Sequence, residues 1–260
     1  MAMVGDAISH AVLPGIVLAY LFAGNRDSAT MLVGAVILGV FATMLIELFH
    51  KKTRLQEDAA IGVTFTWLFA LGVILISVYT GQVDLDQDCV LYGEIAYVPL
   101  DLWFTNSGAN LGPKPLWIAG ALLILVLGFI LRGYRGLFLT SFNPDFAAGM
   151  GISVVAWHYA LMSMVSVTTV VSFESVGAIL VVALLIAPAA SAYLLTKSLP
   201  RMLALAAAFG MLSSILGYYL AKWLDGSIAG AISSVAGVLF VLALGISRLE
   251  AKGLPRMAEQ

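Results

Sequence analysis

Long apolar blocks with few charges follow one another along nearly the whole chain, at residues 7–24, 29–46, 59–80, 115–131, 154–171, 175–195, 202–221 and 228–246. A helix needs about 20 apolar residues to cross the hydrocarbon core of a bilayer. In that medium the backbone must satisfy its own hydrogen bonds, which selects helices. The pattern predicts an all-α, polytopic transmembrane domain of about eight spans. Blocks 115–131 and 154–171 are short by that standard, and Pro14, Gly15, Gly72, Pro188, Gly210 and Gly237 inside the blocks predict irregular, closely packed helices. There is no heptad run, low-complexity tract or clear internal repeat, so residues 1–247 read as one membrane domain and 248–260 as a tail.

Composition agrees and removes alternatives. With 61% hydrophobic and 11% charged residues the chain is no soluble globule. A mean hydropathy of +1.01 is too high to come from a single anchor. A net charge of -2, with no basic cluster interleaved with aromatics, gives no footprint for nucleic acid. The single cysteine, Cys89, excludes an internal disulfide and a cysteine-rich metal site. Residues 1–6 carry no basic residue, which argues against a cleaved signal peptide.

Basic residues orient the chain, since Lys and Arg are retained on the cytoplasmic side. With the first span running outward, the inner loops and tail hold Lys51, Lys52, Arg54, Arg132, Arg135, Lys197, Arg201, Arg248, Lys252 and Arg256, leaving only Arg26, Lys114 and Lys222 outside. Both ends are then cytoplasmic. The long outer loop, 81–114, carries Asp84, Asp86, Asp88, Glu94 and Asp101. Its acidity suits either attraction of cations or simple solvation.

Ionisable groups inside a membrane segment cost a few kcal/mol each and tend to face a cavity, a partner or a substrate. Asp6 and His10 open the first span in the string G-D-A-I-S-H-A-V-L-P-G at residues 5–15. Four apart on a helix, they share one face and are able to hold a cation between them. Oxygen plus imidazole nitrogen suits manganese, iron or zinc and lacks the soft sulfur that favours copper(I). The same spacing also fits a first-turn aspartate followed by a buried histidine. Glu174 falls in the tight connection between the fifth and sixth spans, where it is either a ligand or gate carboxylate or a hairpin residue exposed to water. In regular helices Asp6 and Glu174 would stand most of a bilayer apart, with Gly5, Pro14 and Gly177 as break points that could bring them together. His50 and His158, near inner span ends, read as interfacial residues.

No phosphate-binding loop of the G-x-x-x-x-G-K-[ST] type occurs, nor H-E-x-x-H or G-x-S-x-G. Any energy for transport must come from a partner or an ion gradient. The longest inner loop, about 133–151, contains Ser141, Phe142, Asn143, Pro144, Asp145, Phe146, Gly149 and Gly151. Asn143 or Ser141 is placed to cap a short helix with Pro144 in its first turn and Gly149 or Gly151 at its end. Phe138, Phe142, Phe146 and Met150 would give it an apolar stripe, suited to the lipid interface or to docking a cytoplasmic subunit.

Several strings together resemble the permeases of metal-cation ABC importers, which take up manganese, zinc or iron. They are residues 5–15 above, E-D-A-A-I-G at 57–62, V-L-Y-G-E-I at 90–95, L-T-S-F-N-P-D at 139–145 and S-F-E-S-V-G-A-I-L-V-V-A-L-L-I-A-P-A-A at 172–190. The resemblance covers nearly the whole chain. It implies a type II importer fold, a homodimeric or pseudo-dimeric pore made with a second permease subunit, two cytoplasmic ATP-binding subunits and an extracytoplasmic metal-binding protein. It further implies a bacterial cytoplasmic membrane, no permanently bound cofactor, Asp6 and His10 as ligands of the passing metal, and residues 141–151 as the helix that couples to the ATPase. The family varies at the position of Glu174. Members usually carry one more span and an arginine-containing turn before the G-D-A-x-S-H string, so the family's usual first span is expected to be missing here. Two other readings are a gradient-driven cation carrier working without an ATPase and an intramembrane metalloenzyme using Asp6, His10 and Glu174.

Overall fold

A computed structural model describes residues 2–23, 28–52, 56–79, 95, 98–100, 102–104 and 110–253. The helices are α1 (Ala2–Ala11), α2 (Leu13–Ala23), α3 (Ser28–Lys52), α4 (Glu57–Tyr79), α5 (Lys114–Phe142), α6 (Pro144–Gly149), α7 (Val154–Val176), α8 (Ala178–Leu195), α9 (Leu199–Leu224) and α10 (Ile228–Gly253). Among the described residues, α3, α4, α5, α7, α9 and α10 are long and apolar enough to cross a membrane, and α2 and α8 are shorter apolar helices. Each of the eight apolar blocks therefore has its helix. A short hairpin, β1 (Leu102–Phe104) with β2 (Asn110–Pro113), interrupts the otherwise helical architecture, and the indole of Trp117 donates to the Leu111 carbonyl at 2.9 Å. The acidic residues Asp84, Asp86, Asp88, Glu94 and Asp101 lie outside the described residues.

The structure corrects several boundaries. The first block is two helices, because Pro14 has no N–H for the i→i−4 bond and the ladder shifts there, with Gly15 donating to the Val12 carbonyl at 2.9 Å. Gly5, by contrast, stays within α1. The block expected to end at Leu131 continues to Phe142, so α5 has 29 residues. At 1.5 Å per residue that exceeds the hydrocarbon core, and the turns bearing Arg132 and Arg135 are helix rather than loop. The segment 154–171 likewise extends, to Val176. At the far end α10 runs on to Gly253, making the first residues of the expected tail helical.

Nearly all of α1 to α7 forms one compact unit, and Val176, the last residue of α7, joins α8 to α10 in another. In the first, Ala7, Ile8 and Val12 of α1 pack with Ala35 and Ile46 of α3, Ala60 and Ile61 of α4, and Met162 and Val170 of α7. Helices α2 and α3 approach so closely at Gly15, Ala19 and Gly34 that a side chain on either glycine would collide with the other's backbone. In the second unit α8, α9 and α10 pack pairwise through small residues, including Ala192, Ser213, Gly217, Ala221, Ala229 and Ala236, all buried. Gly217 lies directly against the backbone of Ile232.

Candidate metal pathway and docking helix

Asp6 and His10 both belong to α1, so the shared face expected from their spacing exists in the backbone. The side chains of Asp6 and Glu174 lie outside the described residues. The imidazole of His10 is partly buried against α4, where Phe65 and Phe69 stand one turn apart with ring centroids 5.5 and 6.1 Å from it. The Phe69 contact is edge-on at 89°. These two rings limit the orientations open to the imidazole and keep water from one flank of it. Thr64, the residue before Phe65, is fully buried and donates to the Ala60 carbonyl at 2.8 Å, so its hydroxyl is satisfied within α4. Periodicity alone could have pointed to Phe65 and Phe69, spaced i, i+4, but not to their meeting with His10.

Glu174 is not in a connecting loop as expected. Its backbone is in the last turn of α7, and the connection is Gly177, whose φ of 79° favours glycine. Its depth also differs from expectation. A Cβ at Gly39 in mid-α3 would lie 2.7 Å from Ser166 Oγ, 3.1 Å from Val170 and 3.3 Å from Ile8, so α1 reaches α7 at the level of these residues. Glu174 is two turns beyond Ser166, about 12 Å along the helix axis. That is well under the thickness of the bilayer, yet it still separates the Glu174 backbone from the level of Ile8, which sits between Asp6 and His10. Among the described residues no three His, Cys, Asp or Glu side chains cluster closely enough to hold a metal ion.

The loop 133–151 is largely ordered as helix. Residues 133–142 finish α5, while α6 is the short helix expected, with Asn143 as its N-cap: Asn143 Oδ1 accepts from the Phe146 N–H at 3.1 Å, and Pro144 fills the first turn. It ends in a Schellman arrangement, the Ile152 N–H donating to Ala147 and the Gly151 N–H to Ala148, both at 3.0 Å, with Gly151 at φ 79°. Ser141 is exposed on the end of α5, and Asp145 and Gly149 are exposed on α6. The apolar stripe is split between two helices, with Phe138 and Phe142 on α5 and Phe146 on α6; Phe142, Phe146 and Met150 are all more than half exposed. Ala147 is the buried contact of α6.

One ionisable group escaped the sequence reading. Glu47, one residue past the expected end of its span, is largely buried and is held by Lys51 of its own helix and by His158 of α7. The i, i+4 pairing with Lys51 is legible in sequence, whereas His158 is 111 residues away. His50 is exposed in the last turn of α3, an interfacial position.

The comparisons with known proteins agree with this architecture. The chain is 48% identical over 243 residues to the manganese transport system membrane protein MntD of Bacillus subtilis (strain 168), covering 94% of this chain and 82% of that protein. It is 43% identical over 242 residues to the zinc transport system membrane protein TroD of Treponema pallidum (strain Nichols), covering 93% and 65%. Among solved structures it resembles PsaBC from Streptococcus pneumoniae in complex with Fab, with a TM-score of 0.74 and 32% identity over 94% of this chain and 81% of that one. The profile described as "ABC 3 transport family" matches residues 1–247, nearly the whole chain, and with its apolar helices this chain is a multi-pass membrane protein of that family.

Proposed function

We infer that this chain is the membrane-spanning subunit of an ATP-driven importer that carries a divalent metal ion across the cytoplasmic membrane of a bacterium. The observation that carries the reading is the family match over residues 1–247, which favours an ABC permease over a gradient-driven carrier. Of manganese, zinc and iron, relatives named for manganese and for zinc support the first two as cargo, with manganese first. An oxygen and imidazole donor set accommodates either.

In this proposal Asp6 and His10 take the ion in turn from an extracytoplasmic binding protein, and Phe65 and Phe69 hold the imidazole ready for it. The basic helix ends face the cytoplasm. A second permease subunit completes the pore, and α6 with the exposed Phe142, Phe146 and Met150 docks the ATP-binding subunit, where hydrolysis occurs. Glu174, further along α7, serves as a carboxylate on the same route rather than as a third ligand of one site. The metal is substrate throughout, and no resident cofactor is needed.

The test is uptake of radioactive manganese into vesicles holding this chain with its matching ATPase and binding protein. Asp6→Ala and His10→Ala each reduce uptake about 100-fold or more while the complex still co-purifies, at or above the upper end of what losing even an outer-shell partner of a metal ligand costs. Undiminished uptake in both variants would remove the ligand assignment; a wild-type complex that hydrolyses ATP without importing manganese or zinc would remove the proposed function.

A further inference from the structure

Glu47 and His158 belong to helices that approach the basic end of the bundle from opposite directions in sequence, α3 at its last turns and α7 at its first. Nε2 of His158 lies 2.6 Å from Oε2 of Glu47, and the carboxylate keeps only 10% of its surface exposed. A carboxylate accepts, so Nε2 carries the proton in this contact. The second carboxylate oxygen is held by Lys51, and the Lys51 ammonium in turn stands 5.6 Å from the centre of the Tyr159 ring. Two adjacent residues of α7, His158 and Tyr159, are thus gripped by two residues one turn apart on α3.

The position of this clamp matters more than its strength. Helix α7 starts at Val154, four residues after α6 closes at Met150, and Ser153 caps it by accepting from the Ala156 N–H at 3.3 Å. The residue before His158, Trp157, has its indole seated in a notch on α5 formed by Gly133 and Gly136. The two helices that flank α6 are therefore locked together at Trp157. On the other side of the clamp, Ile46 next to Glu47 is buried in the same core as Ala7 and Ile8, the residues between Asp6 and His10. Packed, discontinuous contacts of this kind transmit rigid displacements.

We propose that the Glu47–His158 pair is a positioning latch that passes movement of α6 from α7 to α3, and so to the helix that carries Asp6 and His10. The proposal rests on the ATP-driven reading above. Lys51 argues against an alternative role for the pair as a second metal site, because its charge occupies the carboxylate that an entering dication would need.

The experiment uses the complete transporter, with ATPase and binding protein, in vesicles and measures metal ions imported per ATP hydrolysed. Glu47→Ala and His158→Ala each lower this ratio about fivefold or more while ATP hydrolysis persists, within the range by which residues touching neither ligand alter coupling. The exchanged pair E47H/H158E restores most of the ratio, which ties the effect to the contact itself, and retained assembly and hydrolysis in the single variants separate it from a folding defect. An unchanged ratio in both single variants overturns the latch, as does uptake and hydrolysis falling in parallel with loss of the complex, or no recovery in the exchanged pair. Metal bound at the pair in the assembled transporter overturns it as well. If the wild-type complex imports no metal, the importer reading fails instead, and the two failures are told apart.

Discussion

The two compact units of this chain use the same apolar alphabet to different ends. In α8 to α10 the described contacts are apolar or small, with Leu180, Ala229 and Ile232 at the centre, and hydroxyls such as Ser191 and Ser213 donate to carbonyls of their own helices at 2.7 and 2.9 Å. Their charged residues stand at helix ends, as with Lys197, Arg201, Lys222 and Arg248. In α1 to α7 the apolar helices carry Asp6, His10 and Glu47 along their length, one helix is broken at Pro14, and a clamp joins α3 to α7. Since each ionisable group costs free energy in the membrane, their place along the helices of one unit is what the proposed metal route and docking surface rest on. The other unit is held by apolar and small-residue packing among the contacts described.

Replacements that break packing should not distinguish the units. Gly136→Val drives a side chain into Trp157 and Gly217→Val drives one into the Ile232 backbone. Each is expected to destabilise by about 1–3 kcal/mol, as overpacking does, which lowers the melting temperature of the purified protein by several degrees. Equal stability of either variant with wild type would show that its notch is looser than described.

Replacements near His10 should separate function from stability. Phe65→Ala removes a wall of the imidazole and is expected to weaken manganese uptake about tenfold, in keeping with the loss of groups that orient a ligand. Uptake measured across manganese concentrations reads this as a higher half-saturation concentration. A parallel fall in the amount of folded protein would instead make Phe65 a core residue.

A smaller effect is expected at α6, the proposed docking helix. Asn143→Ala removes the cap of α6 and costs about 1 kcal/mol of local helix stability. Binding of the ATP-binding subunit, followed by co-purification at decreasing concentration, should weaken up to about fivefold, while Asn143→Asp, which keeps the cap, should not. The smallest effect belongs to the second unit: Gly210 faces open space on α9, and Gly210→Ala is expected to leave the melting temperature unchanged or raise it slightly, by up to about 1 kcal/mol of helix propensity.

Sequence by itself determined the solvent, the apolar helices, the short capped helix at Asn143 and Pro144, and the Asp6 and His10 spacing. These follow from local rules, since run length, proline chemistry, glycine conformations and helical periodicity act over a few residues. Local rules mislead where packing or continuity overrides them: Arg132 and Arg135 mark the end of an apolar block, yet α5 runs past them, and the connection in which Glu174 is expected is a single glycine long. Only the tertiary structure decided which rings flank His10, how close α1 comes to Val170 and Ser166, and that Glu47 meets His158 across 111 residues. Such contacts depend on how helices cross, and crossing is set by small-residue notches such as Gly15 with Gly34 and Gly136 with Trp157, whose partners the linear sequence does not name.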